Sequence, residues 1–141
     1  MKKLIYLFGI AFLILQSCST KDSNSATNSD NPLLLKKWYH FSETYQGRIT
    51  YSSTCSNGNR DYIEFKSPNI FYSYYVMSST NCNYTSEGPF TWVKSGDVIN
   101  FYHNGTVTHT ATITELTATT LKFVDTDAVT HNSASEVYNS F

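Results

Sequence analysis

The stretch V107-T-H-T-A-T-I-T114 alternates without a break. Val107, His109, Ala111 and Ile113 fall on one side of an extended chain, and four threonines fall on the other. Period-two alternation of this kind fits a half-buried strand with a polar outer face. Residues 61–65, 98–102 and 120–124 alternate likewise, and no stretch carries a convincing helical period, although Leu33 to Lys36 could form a short turn. Asn57-Gly58, Ser95-Gly96 and Asn104-Gly105 are hairpin signals, because Asn and Gly accept positive φ in two-residue turns. Short aromatic and β-branched runs broken by turn signals roughly every eight to twelve residues predict an all-β sandwich or barrel from Pro32 onward.

One strand does not fit a simple inside and outside. Ile70 to Met77 carries large side chains on both faces, with Tyr72, Tyr74 and Val76 on one and Phe71, Tyr75 and Met77 on the other. In a barrel one of those faces must look outward. Either the strand exposes a tyrosine stripe, which would mark an interaction surface at Tyr72 and Tyr74 for a protein or glycan, or the N-terminal turn or C-terminal tail covers it.

The first residues concern address rather than fold. Lys2 and Lys3 precede an apolar run from Leu4 to Leu15, too short to span a bilayer, which takes roughly 20 apolar residues. The pattern is that of a secretory signal peptide. Its end, Leu15-Gln16-Ser17-Cys18, resembles the bacterial lipobox. That resemblance implies cleavage after residue 17 and acylation of Cys18, giving a lipid-anchored protein of the bacterial cell envelope, at the outer membrane. One acyl chain binds a membrane only marginally, so several chains on Cys18 would be needed to hold the protein there.

Residues 18–31 then read as the lipidated cysteine and a flexible tether, since 19–31 are almost wholly polar and cannot bury enough apolar surface to order themselves. Thirteen such residues reach about 20 Å. Lys21-Asp22 is similar to part of a sorting signal for the outer face of the outer membrane, and a solvated linker explains it as well. Residues 32–141 form the single domain.

The formal charge of −1 becomes −3 once Lys2 and Lys3 leave with the signal, and no basic block remains, which argues against nucleic acid as a partner. With Cys18 assigned to lipid, Cys55 and Cys82 are an even pair in an oxidising compartment and are expected to form a disulfide. Closing a loop of about 28 residues would stabilise the fold by about 3–4 kcal/mol. A metal site on these cysteines lacks both a CxxC spacing and nearby histidines.

Over roughly residues 33–125 the chain resembles the small lipocalin-like lipoproteins of Gram-negative envelopes. The resemblance is carried by Leu35-Lys36-Lys37-Trp38, Cys55, Asp61-Tyr62-Ile63-Glu64-Phe65, Cys82, Gly88-Pro89-Phe90-Thr91-Trp92, Val98-Ile99-Asn100-Phe101, and Ile113-Thr114-Glu115-Leu116 leading to Leu121. Lys36 stands where such chains usually have glycine. The resemblance implies an up-and-down antiparallel barrel of about eight strands, with an interior that is filled or holds a small ligand.

Strand alternation nominates an inner set of Trp38, Ile63, Phe65, Phe90, Trp92, Ile99, Phe101, His109, Ile113, Leu121 and Phe123. If the barrel is hollow, Trp38, Phe65, Trp92, Phe101, His109 and Phe123 are the expected ligand-binding residues. His109, by default a satisfied core histidine, would then be the directional polar group. The expected ligand is a small hydrophobic or amphipathic molecule, with the tether presenting the mouth near the membrane surface. A cavity of roughly 300 Å³ or more would favour this carrier, and a filled barrel with surface tyrosines would favour docking.

His103 and His109 flank the Asn104-Gly105 turn, with no third metal ligand nearby. No G-x-S-x-G elbow or phosphate-cradling glycine loop occurs, and Glu64, Glu87 and Asp97 read as solvated carboxylates. No catalytic role and no cofactor is implied.

Overall fold

The computed structural model describes residues 31–77 and 81–141. The signal peptide, Cys18 and the tether up to residue 30 lie outside the described residues. Nine strands follow one another among the described residues: β1 (Lys37–Tyr45), β2 (Arg48–Tyr51), β3 (Tyr62–Lys66), β4 (Ile70–Val76), β5 (Tyr84–Ser95), β6 (Val98–His103), β7 (Thr106–Leu116), β8 (Thr120–Asp127) and β9 (Ser133–Asn139). Each neighbouring pair is antiparallel, from β3 through to β9, and β9 returns to pair with β1. The other edge of β1 is shared. Its first residues pair with β3 and its last with β2. Eight strands therefore close the barrel, and β2, exposed along its whole length, is an arm folded back from β1.

The Asn104-Gly105 hairpin forms as expected, with φ of 51° and 79° between the paired residues His103 and Thr106. Gln46-Gly47 makes the same kind of turn between β1 and β2, with φ of 50° and 77°. Asn57-Gly58, by contrast, is not a hairpin. It turns within the connection from β2 to β3, where the Gly58 amide donates to the Cys55 carbonyl at 2.8 Å.

Cys55 and Cys82 form the expected disulfide, with a Cα–Cα distance of 5.8 Å. It ties the β2–β3 and β4–β5 connections together at one end of the barrel. The Asn57 and Asn59 side-chain amides both donate to the Cys82 carbonyl, at 3.2 and 2.9 Å.

The opposite end is closed by packing. Trp38, Trp92, Phe65, Leu34, Ile99 and Leu121 are the largest fully buried side chains. Leu34 belongs to the short turn anticipated at 33–36, and that turn is the barrel's plug: the Trp38 indole Nε1 donates to the Leu34 carbonyl at 3.1 Å. Lys36, which follows, lies over the Trp38 ring at 4.3 Å and donates to Ser140 Oγ at 2.9 Å. The first described residues thus enter at the closed end. The open end lies at the opposite side of the barrel from this point of entry.

The nominated inner set is buried with two exceptions. Phe90 is partly buried, and His109 keeps 42 % of its side chain exposed. His109 is therefore not a core histidine.

Candidate functional site: an aromatic floor under a carboxylate rim

Each inward strand face changes character along its length. On β8 the inward series is Leu121, Phe123, Asp125 and Asp127. On β9, read in the opposite chain direction, it is Tyr138, Glu136 and Ala134, each paired across to β8. On β1 it is Trp38, His40 and Glu43, the step between His40 and Glu43 being three residues because a bulge shifts the register there. On β7 Ile113 and Ala111 give way to His109. On β1, β7 and β8 the closed end is apolar and the open end ionisable, and on β9 Glu136 stands between Tyr138 and Ala134.

The result is a hollow upper barrel. A cavity of about 200 Å³ has Phe71, Phe90, Phe101 and Phe123 as its apolar floor, with Tyr75, Glu87, His109, Asp125, Glu136 and Tyr138 among the walls. A second space of about 300 Å³, nearer the mouth, adds His40, Glu43 and Asp61. Ile63, Ser73, Tyr75, Glu136 and Tyr138 line both spaces. Five carboxylates and two histidines face this hollow, and no lysine or arginine among the described residues lines it.

The polar groups constrain one another. His109 Nδ1 lies 2.8 Å from Asp125 Oδ2, and this bond raises the imidazole's pKa against the opposing effect of burial. The other oxygen, Asp125 Oδ1, is buried with no hydrogen-bond partner. Burial pushes the Glu136 carboxyl up to about 7, although the Tyr138 hydroxyl, which donates to it, pulls the other way. Burial also raises Tyr138 itself. Tyr75 is pushed up to about 12, first by burial and then by its bond to Glu87. His40 is lowered by burial despite the nearby acids Asp61 and Glu43.

Of the residues nominated for ligand binding, Phe101, His109 and Phe123 line the hollow. Trp38, Phe65 and Trp92 do not: they are 0–1 % exposed and form the packed core beneath it. A small barrel fills wherever its inward side chains are large, and those three belong to the filled half. Glu87 was read as merely solvated. It remains exposed, yet it stands at the cavity rim against Tyr75. Glu64 is on the outer face, paired with Lys66 at 3.0 Å. His103 packs its ring against Phe90, 5.4 Å between centroids, and no metal-holding group of three or more His, Cys, Asp or Glu side chains occurs among the described residues.

On the outside, Tyr74 stacks on Tyr62 at 4.4 Å, Tyr62 meets Tyr39 at 5.6 Å, and Tyr39 meets Phe141 at the same distance. Lys37 lies over Tyr62 and Lys66 over Tyr72. The C-terminal Phe141 therefore covers only one end of the stripe, and Tyr72 and Tyr74 stay half-buried among their neighbours.

An eight-stranded antiparallel barrel, plugged at one end and hollow at the other, is a closed up-and-down barrel with a cavity inside the sheet. The family model for the lipocalin-like domain matches residues 34–123, and the chain belongs to that family. No curated protein and no solved structure matches it.

Proposed function

We propose that this chain is an envelope lipoprotein whose barrel takes up one small amphipathic molecule. The observation that carries the reading is the aromatic floor lying under a polar rim: the floor cavity of about 200 Å³ is smaller than the roughly 300 Å³ expected, and the space of about 300 Å³ nearer the mouth shares its lining. An apolar cavity of roughly 150 Å³ accommodates benzene, so the floor suits a single ring or a short aliphatic body. The rim suits a polar end. The lipobox at Cys18 supports membrane anchoring, and the Cys55–Cys82 disulfide is in keeping with an oxidising compartment outside the cytosol. An anchor attached through the closed end would leave the mouth facing the aqueous phase, where it would meet small solutes.

Binding is tested by titrating the protein with single-ring amphiphiles while following melting temperature and the NMR signals of cavity residues. At a ligand concentration of 100 times Kd the native state gains about 2.7 kcal/mol, which corresponds to a rise of roughly 10 °C for a domain of this size. Unmoved signals from Phe101, Phe123 and Tyr138 across the panel would overturn the reading. A second reading is favoured by the half-exposed Tyr72 and Tyr74 with their lysine neighbours, namely docking of a protein or glycan on the outer face. Ligand-induced shifts confined to those tyrosines would support it.

A further inference from the structure

We propose that the cup selects an organic cation, a protonated amine or quaternary ammonium on a small aromatic or aliphatic body; this rests on reading the hollow as a binding site. Two features point to that charge and a third to the body that carries it. The first is the sign of the walls: Glu43, Asp61, Glu87, Asp125 and, once ionised, Glu136 face the hollow against two histidines, His40 and His109, and no lysine or arginine among the described residues lines it.

The second is an unmet need. Asp125 spends one oxygen on His109 and leaves the other buried without a donor. A buried carboxylate oxygen with no partner is unfavourable, so the Asp125 carboxylate gains from a positive charge brought close to it in the cavity it lines. The third is the floor. Phe71, Phe90, Phe101 and Phe123 offer aromatic surface for the body of such a molecule.

An anion would meet like charge at the carboxylates of the rim. A neutral alcohol would satisfy at most one acceptor and leave the rest of the rim uncompensated. A bare metal ion is a poor fit, because no metal-holding group of three or more ligating side chains occurs among the described residues. An extended molecule can instead rest on the floor and place its charge at the rim.

The test uses full-length protein in non-ionic detergent and three probes of matched size: 2-phenylethylammonium, 2-phenylethanol and 3-phenylpropionate. The expected result is binding of the ammonium at least tenfold tighter than of the alcohol, with no measurable binding of the carboxylate. In an Asp125→Asn, Glu136→Gln variant the ammonium should lose at least tenfold in affinity while the alcohol binds as well or better, which also shows that the cavity is intact. Equal binding of alcohol and ammonium, or preferential binding of the carboxylate, overturns the cation inference and leaves the cup reading standing. Absence of binding by all three removes the cup reading, and the cation inference falls with it.

Discussion

The Tyr138 hydroxyl donates to the Glu136 carboxylate, two residues earlier on β9 and on the same inward face. Phe123 stacks on the Tyr138 ring at 5.4 Å, and the His40 ring approaches it at 5.2 Å. The tyrosine joins the packed lower barrel to the ionisable rim. It is buried at 6 % exposure, and its hydroxyl is the only part aimed at the acid above.

Glu136 should make stability depend on pH. Its folded pKa is raised from 4.5 to about 7, so the native state holds this proton more tightly than the unfolded chain does. Stability from this group is therefore greatest below about pH 4.5 and declines as pH rises towards 7. The groups facing it are His40 and Glu43 on β1, Asp61 before β3, Tyr75 on β4, Glu87 on β5, His109 on β7, Asp125 on β8 and Tyr138 on β9. Glu136→Gln keeps an acceptor for Tyr138 and removes the charge. At pH 8 it should raise stability by about 2–3 kcal/mol, with the gain disappearing near pH 4. Denaturant melts at both pH values check this, and an equal effect at the two would show that the charge is not responsible.

Leu34 should be structurally costly to shorten despite its place in a terminal turn. It is fully buried, and its carbonyl receives the Trp38 indole. Leu34→Ala should destabilise by about 2–4 kcal/mol through the void it leaves. Lowered stability with an unchanged far-UV spectrum would match loss of the plug alone.

Gly88 is fixed by its neighbours as much as by its backbone. It adopts φ of 119°, and a Cβ there would lie 2.9 Å from the Phe71 carbonyl oxygen and 3.1 Å from the Tyr72 ring. The carbonyl belongs to β4 beside its bulge and cannot easily retreat. Gly88→Ala should cost roughly 1–3 kcal/mol, read as a drop in melting temperature. A change below about 0.5 kcal/mol, the usual range for harmless surface substitutions, would contradict the packing argument.

The strands, most of the core and the disulfide were legible from alternation and cysteine parity, which left sandwich or barrel open, and the family resemblance implied the closed barrel. The rim was not. Its acids look individually like ordinary solvated carboxylates, and only the closed topology brings Glu43, Asp61, Asp125 and Glu136 around one hollow. Bulges add to the difficulty: register shifts near Phe41 in β1 and near Gly88 in β5 change which side chains face inward beyond them. Continuing the inward series of 121 and 123 to Asp125 would have found one acid, while Glu136 lies in a weakly alternating strand. Trp38 and Trp92 misled for the opposite reason. Large aromatic residues are natural pocket walls, but here their volume fills the lower barrel and leaves the cavity to smaller rings above.

The disulfide should carry stability without shaping the cavity floor. It joins two connections at the open end, whereas Phe71, Phe90, Phe101 and Phe123 sit on strands whose pairing does not depend on it. Replacing both cysteines, Cys55→Ser with Cys82→Ser, releases a loop constraint that contributes about 3–4 kcal/mol in the chain-entropy model. The double variant should therefore melt well below the parent yet bind a floor-directed probe such as 2-phenylethanol within about threefold of it under conditions where both are folded. Measuring melting temperature and affinity on the same samples separates the two roles. In the parent protein, thiol labelling under denaturing, non-reducing conditions should find neither Cys55 nor Cys82 free. A double variant with unchanged stability would show that the bridge adds nothing to the fold, and a collapse of affinity at full folding would place it in the binding site instead.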